Sequence, residues 1–161
     1  MSDEVLATMK AAPGRRWFGL ILLVALGLLV LYVAAARPPA LGWQALLVAV
    51  GLGSFWMARA MHRATGLTLT LTREALSDSE GRVVARIEDV AAVDRGMFAM
   101  KPSNGFVLKM RNAQPRAWRP GVYWSLGRRV AVGGVMPASQ SKPMADSIAI
   151  MVATRGQGDD G

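Results

Sequence analysis

The sequence contains no cysteine and a single histidine, His62. Disulfides, thiolate metal sites and cysteine nucleophiles are therefore excluded. A three-histidine zinc site or a histidine-based triad would need more than one lone ring, and His62 lies outside the stretch that patterns as a folded domain. Acids are scarce as well: 11 Asp and Glu stand against 19 Lys and Arg, for a formal net charge of +8. The adjacent pair Glu88-Asp89 is no acid–base dyad, because neighbouring side chains on a strand or turn point apart. No glycine-rich phosphate loop occurs. No catalytic residue, cofactor, metal or small-molecule substrate follows from the sequence, and the expected function is non-enzymatic.

Charge is sparse and apolar residues are plentiful, at 19% and 52%. Residues 17–36 (WFGLILLVALGLLVLYVAAA) carry no charge. At 1.5 Å per residue they span about 30 Å, the thickness of a bilayer's hydrocarbon core. Their Leu, Ile, Val and Phe side chains favour insertion by roughly 4–7 kcal/mol. Residues 40–58 (ALGWQALLVAVGLGSFWMA) are weaker, with Gln44, Ser54 and three glycines, and contribute roughly half as much. They are expected to insert as the return arm of a transmembrane hairpin over 17–61, with Arg37-Pro38-Pro39 ending the first helix. Trp17, Tyr32, Trp43 and Trp56 stand near the helix ends, where interfacial aromatic belts form. Lys10, Arg15 and Arg16 precede the hairpin, Arg59, Arg63 and Arg73 follow it, and only Arg37 lies between. The positive-inside bias then puts both termini, including residues 1–16, in the cytoplasm. The competing reading is a signal peptide cleaved at Ala34-Ala35-Ala36, which the length of the run and the second span oppose. Arginine outnumbers lysine and Ala and Gly are abundant, a usage that points to a bacterium and hence to its inner membrane.

Beyond residue 65 the pattern changes. Residues 67–72 (LTLTLT) alternate strictly and predict a half-buried strand. Short strands follow over 74–78 and 82–87, with a turn at 79–81, and residues 87–94 predict a turn and another strand. Asn104-Gly105 is a hairpin signal, expected to join Phe98-Ala-Met100 to Phe106-Val-Leu-Lys-Met110. In that second arm Phe106, Leu108 and Met110 face one way and Val107, Lys109 and Arg111 the other. Residues 116–126, with Pro120-Gly121, predict a bent strand or loop, and 128–132 a last strand. A C-terminal helix is expected to be capped by Ser139 or Ser141, with Pro143 in its first turn and Met144, Ile148 and Met151 as its apolar stripe. Residues 156–161 are expected to be a disordered tail.

Six or seven short antiparallel strands closed by a helix, after one or two membrane spans, resemble the pleckstrin-homology-like (PH-like) domains of bacterial membrane proteins. The resemblance rests on residues 67–72, on 87–93 (IEDVAAV) and on 106–110. It implies an α+β membrane protein, with a PH-like antiparallel β half-barrel over 65–155, and a binding or scaffold role.

One further block stands out. Nine cations (Arg95, Lys101, Lys109, Arg111, Arg116, Arg119, Arg128, Arg129 and Lys142) occur between 95 and 142 without a single acid, interleaved with Phe98, Trp118, Tyr123 and Trp124. Such a face suits an acidic surface on another membrane protein or complex, with Trp and Arg as anchors. It equally suits anionic lipid headgroups, at roughly 1 kcal/mol per basic residue, or only a solvated surface. The tether and the want of a recognisable motif argue against nucleic acid. The expected function is a membrane scaffold, assembly factor or accessory subunit that docks a partner through this face. The alternative is a tethered reader of anionic headgroups.

Overall fold

The computed structural model describes residues 4–96 and 102–158. The chain forms two compact units: Pro13–Arg63, and a second that joins Met1–Ala12 to Ala64–Gly161.

The first unit is an antiparallel pair of helices, α1 (Pro13–Ala36) and α2 (Leu41–Ala64). Each extends beyond the run predicted from hydrophobicity alone, because Pro13 opens α1 at a position that needs no N–H and α2 continues through Arg59 and Arg63. Both are long and apolar enough to cross a membrane. Glycine sets their approach. A methyl on Gly27 would stand 3.2 Å from the Gly51 carbonyl oxygen, and one on Gly51 would stand 2.6 Å from Leu31 Cγ. Gly19 packs against Met61, whereas Gly42 and Gly53 meet nothing, so only part of the glycine content serves the helix contact. Gln44 Nε2 donates across the pair to the Ala34 carbonyl at 3.3 Å. The Ser54 hydroxyl donates to Val50 O of its own helix at 2.8 Å. Most large apolar side chains of the pair, Phe18, Ile21 and Leu28 among them, point outward.

The second unit has two antiparallel sheets. The first, in the order β1-β2-β3-β4, contains β1 (Ala7–Lys10), β2 (Thr68–Leu71), β3 (Ala75–Asp78) and β4 (Val83–Arg86). A single 3-10 turn, Ile87–Asp89, leads into the second, which contains β5 (Val90–Asp94), β6 (Phe106–Arg119) and β7 (Tyr123–Val132) in sequence order. The alternation of 67–72 puts Leu67, Leu69 and Leu71 in the core. The N-terminal segment is more than a leader to the first helix. Its residues 7–10 form β1, in register with β2, with Met9 opposite Leu69 and fully buried. The helical pair is therefore an insertion between two neighbouring strands of one sheet.

Phe98 to Met100 lie outside the described residues. Residues 107–109 pair with β5 on one edge and with β7 on the other. Val107, expected on an outer face, is buried as well. The closing helix α3 (Ala138–Gly158) starts earlier and ends later than its sequence signals predict. Pro143 sits inside it rather than in its first turn, and residues 156–158 are helical rather than a disordered tail. Met144 and Ile148 are fully buried, Met151 partly so. They join Leu76, Phe106, Leu108 and Val130 in one core.

Arg155 fastens α3 to the corner between the sheets. Its two terminal nitrogens donate to Ile87 O and Val90 O, each at 2.6 Å. Arg155→Ala removes both charge-assisted bonds, leaving Ile87 O with only the Val90 N–H, and a loss of about 2 kcal/mol is expected in a denaturant titration of the detergent-solubilised chain.

Candidate functional site

The charge block maps onto the β6–β7 ribbon. β5 covers β6 only as far as Met110, opposite Val90. Past that point β6 pairs with β7 alone, and the register slips twice, between Lys109 and Gln114 and again between Gln114 and Ala117. Slips of this kind bend a ribbon and turn side chains outward. Gly127, at φ 59, supplies the left-handed residue opposite Gln114. Pro115 lies on the uncovered length of β6, where a missing N–H blocks further strand pairing. The far end of the ribbon then folds back: Val135 N donates to Gly121 O, and Gly133 N to Val122 O. Tyr123 is buried there, its hydroxyl 3.0 Å from Asp78 Oδ2. With both ends pinned to the core, the middle projects as a corner.

The predicted contact residues do not form one uninterrupted basic face. Three are neutralised by acids from outside the block. Arg95 pairs with Asp146 of α3. Lys109 pairs with Asp94 at 3.2 Å, and Arg119 with Glu80 at 2.8 Å. The carboxyl of Asp94 is held below the usual carboxylate range by the N–H of Gly96 and by Lys109, with the more distant Arg129 adding to the effect. Lys101 lies outside the described residues, and Lys142 belongs to α3. Arg111, Arg116, Arg128 and Arg129 are exposed and form no ion pair among the described residues.

Between Arg116 and Arg128 the corner is apolar. Trp118 and Trp124 are direct cross-strand partners. Trp118 is 51% exposed, Trp124 is half-buried, and Leu126 beside them is 52% exposed. With Arg116, Ala117 and Ser125 they line a shallow depression of about 400 Å³. Leu126 was not singled out from the sequence. Its outward alternation with Trp124, against buried Tyr123 and Ser125, was the available signal.

A larger hollow of about 1060 Å³ lies between α3 and the β2–β3 and β4 ends, near Ile150, Met151 and Val83. Its rim charges largely satisfy each other, Arg73 with Glu4 at 3.3 Å and Arg86 with Glu88 at 3.4 Å. Asp89, in the 3-10 turn, accepts from Asn112 Nδ2 at 3.3 Å. No group of three His, Asp or Glu residues that could hold a metal occurs among the described residues. On the helical unit Trp17, Tyr32, Trp43 and Trp56 all point outward, each more than half exposed. Comparison with protein-family models, with curated proteins and with solved structures finds no match to this chain.

Proposed function

We propose that the chain is a two-span protein of a bacterial inner membrane whose PH-like cytoplasmic domain docks a partner protein, as a non-enzymatic scaffold, assembly factor or accessory subunit. Four strands, three strands and a closing helix, in that order, support the PH-like reading. The outward apolar surface of α1 and α2 supports a bilayer as their solvent. Sheet pairing supports the hairpin topology, because β1 and β2 can meet only if both ends of the helical pair emerge on one side. Arg15, Arg16, Arg59 and Arg63 flank those ends, and that bias favours the cytoplasmic side.

The observation that carries the docking role is the corner itself. Trp118 and Leu126 stand exposed, with half-buried Trp124 beside them, between arginines that form no ion pair among the described residues. Desolvated Trp and Arg dominate protein interfaces, and unpaired cations select an acidic partner. The test is crosslinking and co-purification from native membranes. Arg116→Glu combined with Arg128→Glu should lower recovery of the partner by about tenfold or more, and Trp118→Ala should do so by a similar factor. Unchanged recovery with the double reversal overturns the reading. Loss of flotation on anionic liposomes, with partner recovery intact, would assign the same corner to lipid.

A further inference from the structure

The helical unit Pro13–Arg63 contains no Asp or Glu. Its cations are unevenly placed. Because α1 and α2 run antiparallel, Arg15 and Arg16 share one end with Arg59, His62 and Arg63, and Arg37 stands alone at the other. A basic bias at one end is common to membrane hairpins. Arg16 is unlike a simple flanking charge, because its head is held in place. One terminal nitrogen lies 3.2 Å from His62 Nδ1 and 3.4 Å from His62 O. Its guanidinium carbon lies 6.0 Å from the centre of the Trp17 ring, and that ring lies 6.5 Å from the imidazole. A guanidinium only donates, so in this contact the imidazole nitrogen is the acceptor.

This leaves a preorganised cation with donors to spare. Arg16 Nε is buried and meets no acceptor, and Nη1 makes no hydrogen bond among the described residues. A guanidinium has five donors in a planar fork and seeks a bidentate oxyanion. No carboxylate of this unit can supply one. Phe18, Ile21 and Leu22 continue from this end as an exposed apolar flank. A ligand that combines a phosphate oxyanion with an apolar tail matches both halves.

We propose that Arg16, braced by His62 and Trp17 and aided by Arg59 and Arg63, binds the phosphate of an anionic phospholipid at this end of the helical pair. The inference rests on the reading of α1 and α2 as membrane-embedded, and not on the β6–β7 corner. The bound lipid would sit at the Arg16 end of the helical pair, and would fix the hairpin's depth in the leaflet.

The test uses the full chain, delipidated in non-ionic detergent and reconstituted in nanodiscs of phosphatidylcholine containing a minority of phosphatidylglycerol. Lipid retained after extraction is counted by native mass spectrometry. Wild type should retain phosphatidylglycerol about tenfold above its mole fraction, the scale of one charge-assisted bidentate contact. Arg16→Lys keeps the charge but loses the fork, and should abolish most of that enrichment. His62→Gln keeps every formal charge and removes the imidazole brace, and should weaken enrichment in the same direction, so the question does not depend on one variant folding. Wild-type retention without headgroup preference, or enrichment unchanged in both variants, overturns the proposal. Displacement of the lipid by excess inorganic phosphate would make free phosphate the ligand and overturn the lipid assignment. Recovery of the chain without detergent would overturn the membrane reading too, whereas a detergent-requiring chain with no lipid preference would sink this inference alone.

Discussion

Met9→Asp is expected to lower the stability of the sheet unit by about 4 kcal/mol and to release β1. Met9 is fully buried opposite Leu69. Removing a buried methionine side chain costs roughly 2–5 kcal/mol, and the incoming carboxyl must enter the core protonated or drag water with it. A domain of this size has only about 5–15 kcal/mol to lose. The consequence should extend to topology. The return helix is the less apolar of the two, and pairing of β1 with β2 is a second constraint that holds both ends of the insertion on one side. On the proposed two-span reading, chains in which α2 fails to insert become populated without it. The absence of native cysteine makes this measurable. If the helical pair spans a membrane as proposed, single thiols at Pro39→Cys and Gly156→Cys should label from opposite faces of it in an otherwise wild-type chain, and from one mixed population once Met9→Asp is added. Unaltered labelling, with a melting temperature within a degree or two of wild type, would refute the role given to β1.

The same strand shows what the sequence conceals. Both helices are legible because each contains a long, uncharged and predominantly apolar run, and β2 because three leucines alternate with three threonines. β1 is four residues long, Ala7-Thr-Met-Lys10, with one large inward side chain. Nothing local marks it as a strand; it is made one by a partner beyond the whole helical insertion. The basic block suffered from the same limit. Nine cations in a row of sequence look like one face, but Asp146, Asp94 and Glu80 reach Arg95, Lys109 and Arg119 from other elements. What remains, the corner around Arg116, Trp118, Trp124 and Arg128, depends on two register slips that no propensity rule announces. In the sequence Arg16 is only one of the basic residues flanking the hairpin, and His62 a lone ring outside the folded domain. That they meet follows only from the antiparallel pairing of helices whose contact points are 46 residues apart.

Asp78→Ala should be nearly as damaging as the change at Met9, and its pH dependence gives the mechanism away. Asp78 is 4% exposed. Its Oδ1 accepts from Glu80 N and Arg82 N, both at 3.0 Å, and its Oδ2 from the Tyr123 hydroxyl at 3.0 Å. One carboxylate thus shapes the β3–β4 turn and pins the far end of the β6–β7 ribbon. Truncation strands a buried hydroxyl and two turn N–H groups, for an expected loss of about 3–4 kcal/mol. Tyr123→Phe keeps the turn and removes only the cross-sheet bond, for about 1–2 kcal/mol. Burial, and next the bond to Asp78, raise the Tyr123 pKa above its ordinary 10.0. The folded state therefore holds the phenolic proton more tightly than the unfolded state. The stability this contributes is complete below pH 10 and is lost as pH climbs through the raised value. Wild type should lose stability on the alkaline side more steeply than Tyr123→Phe, so that the gap between them narrows above pH 10. Asp78→Asn, which removes the charge but keeps an acceptor for the turn, should bring the onset of that loss closer to an ordinary tyrosine's. Denaturant titrations from pH 8 to 11 would decide it: parallel curves for wild type and Tyr123→Phe would mean that the phenol's proton is not held by the Asp78 contact, and that the ribbon is fastened to the core by some other means.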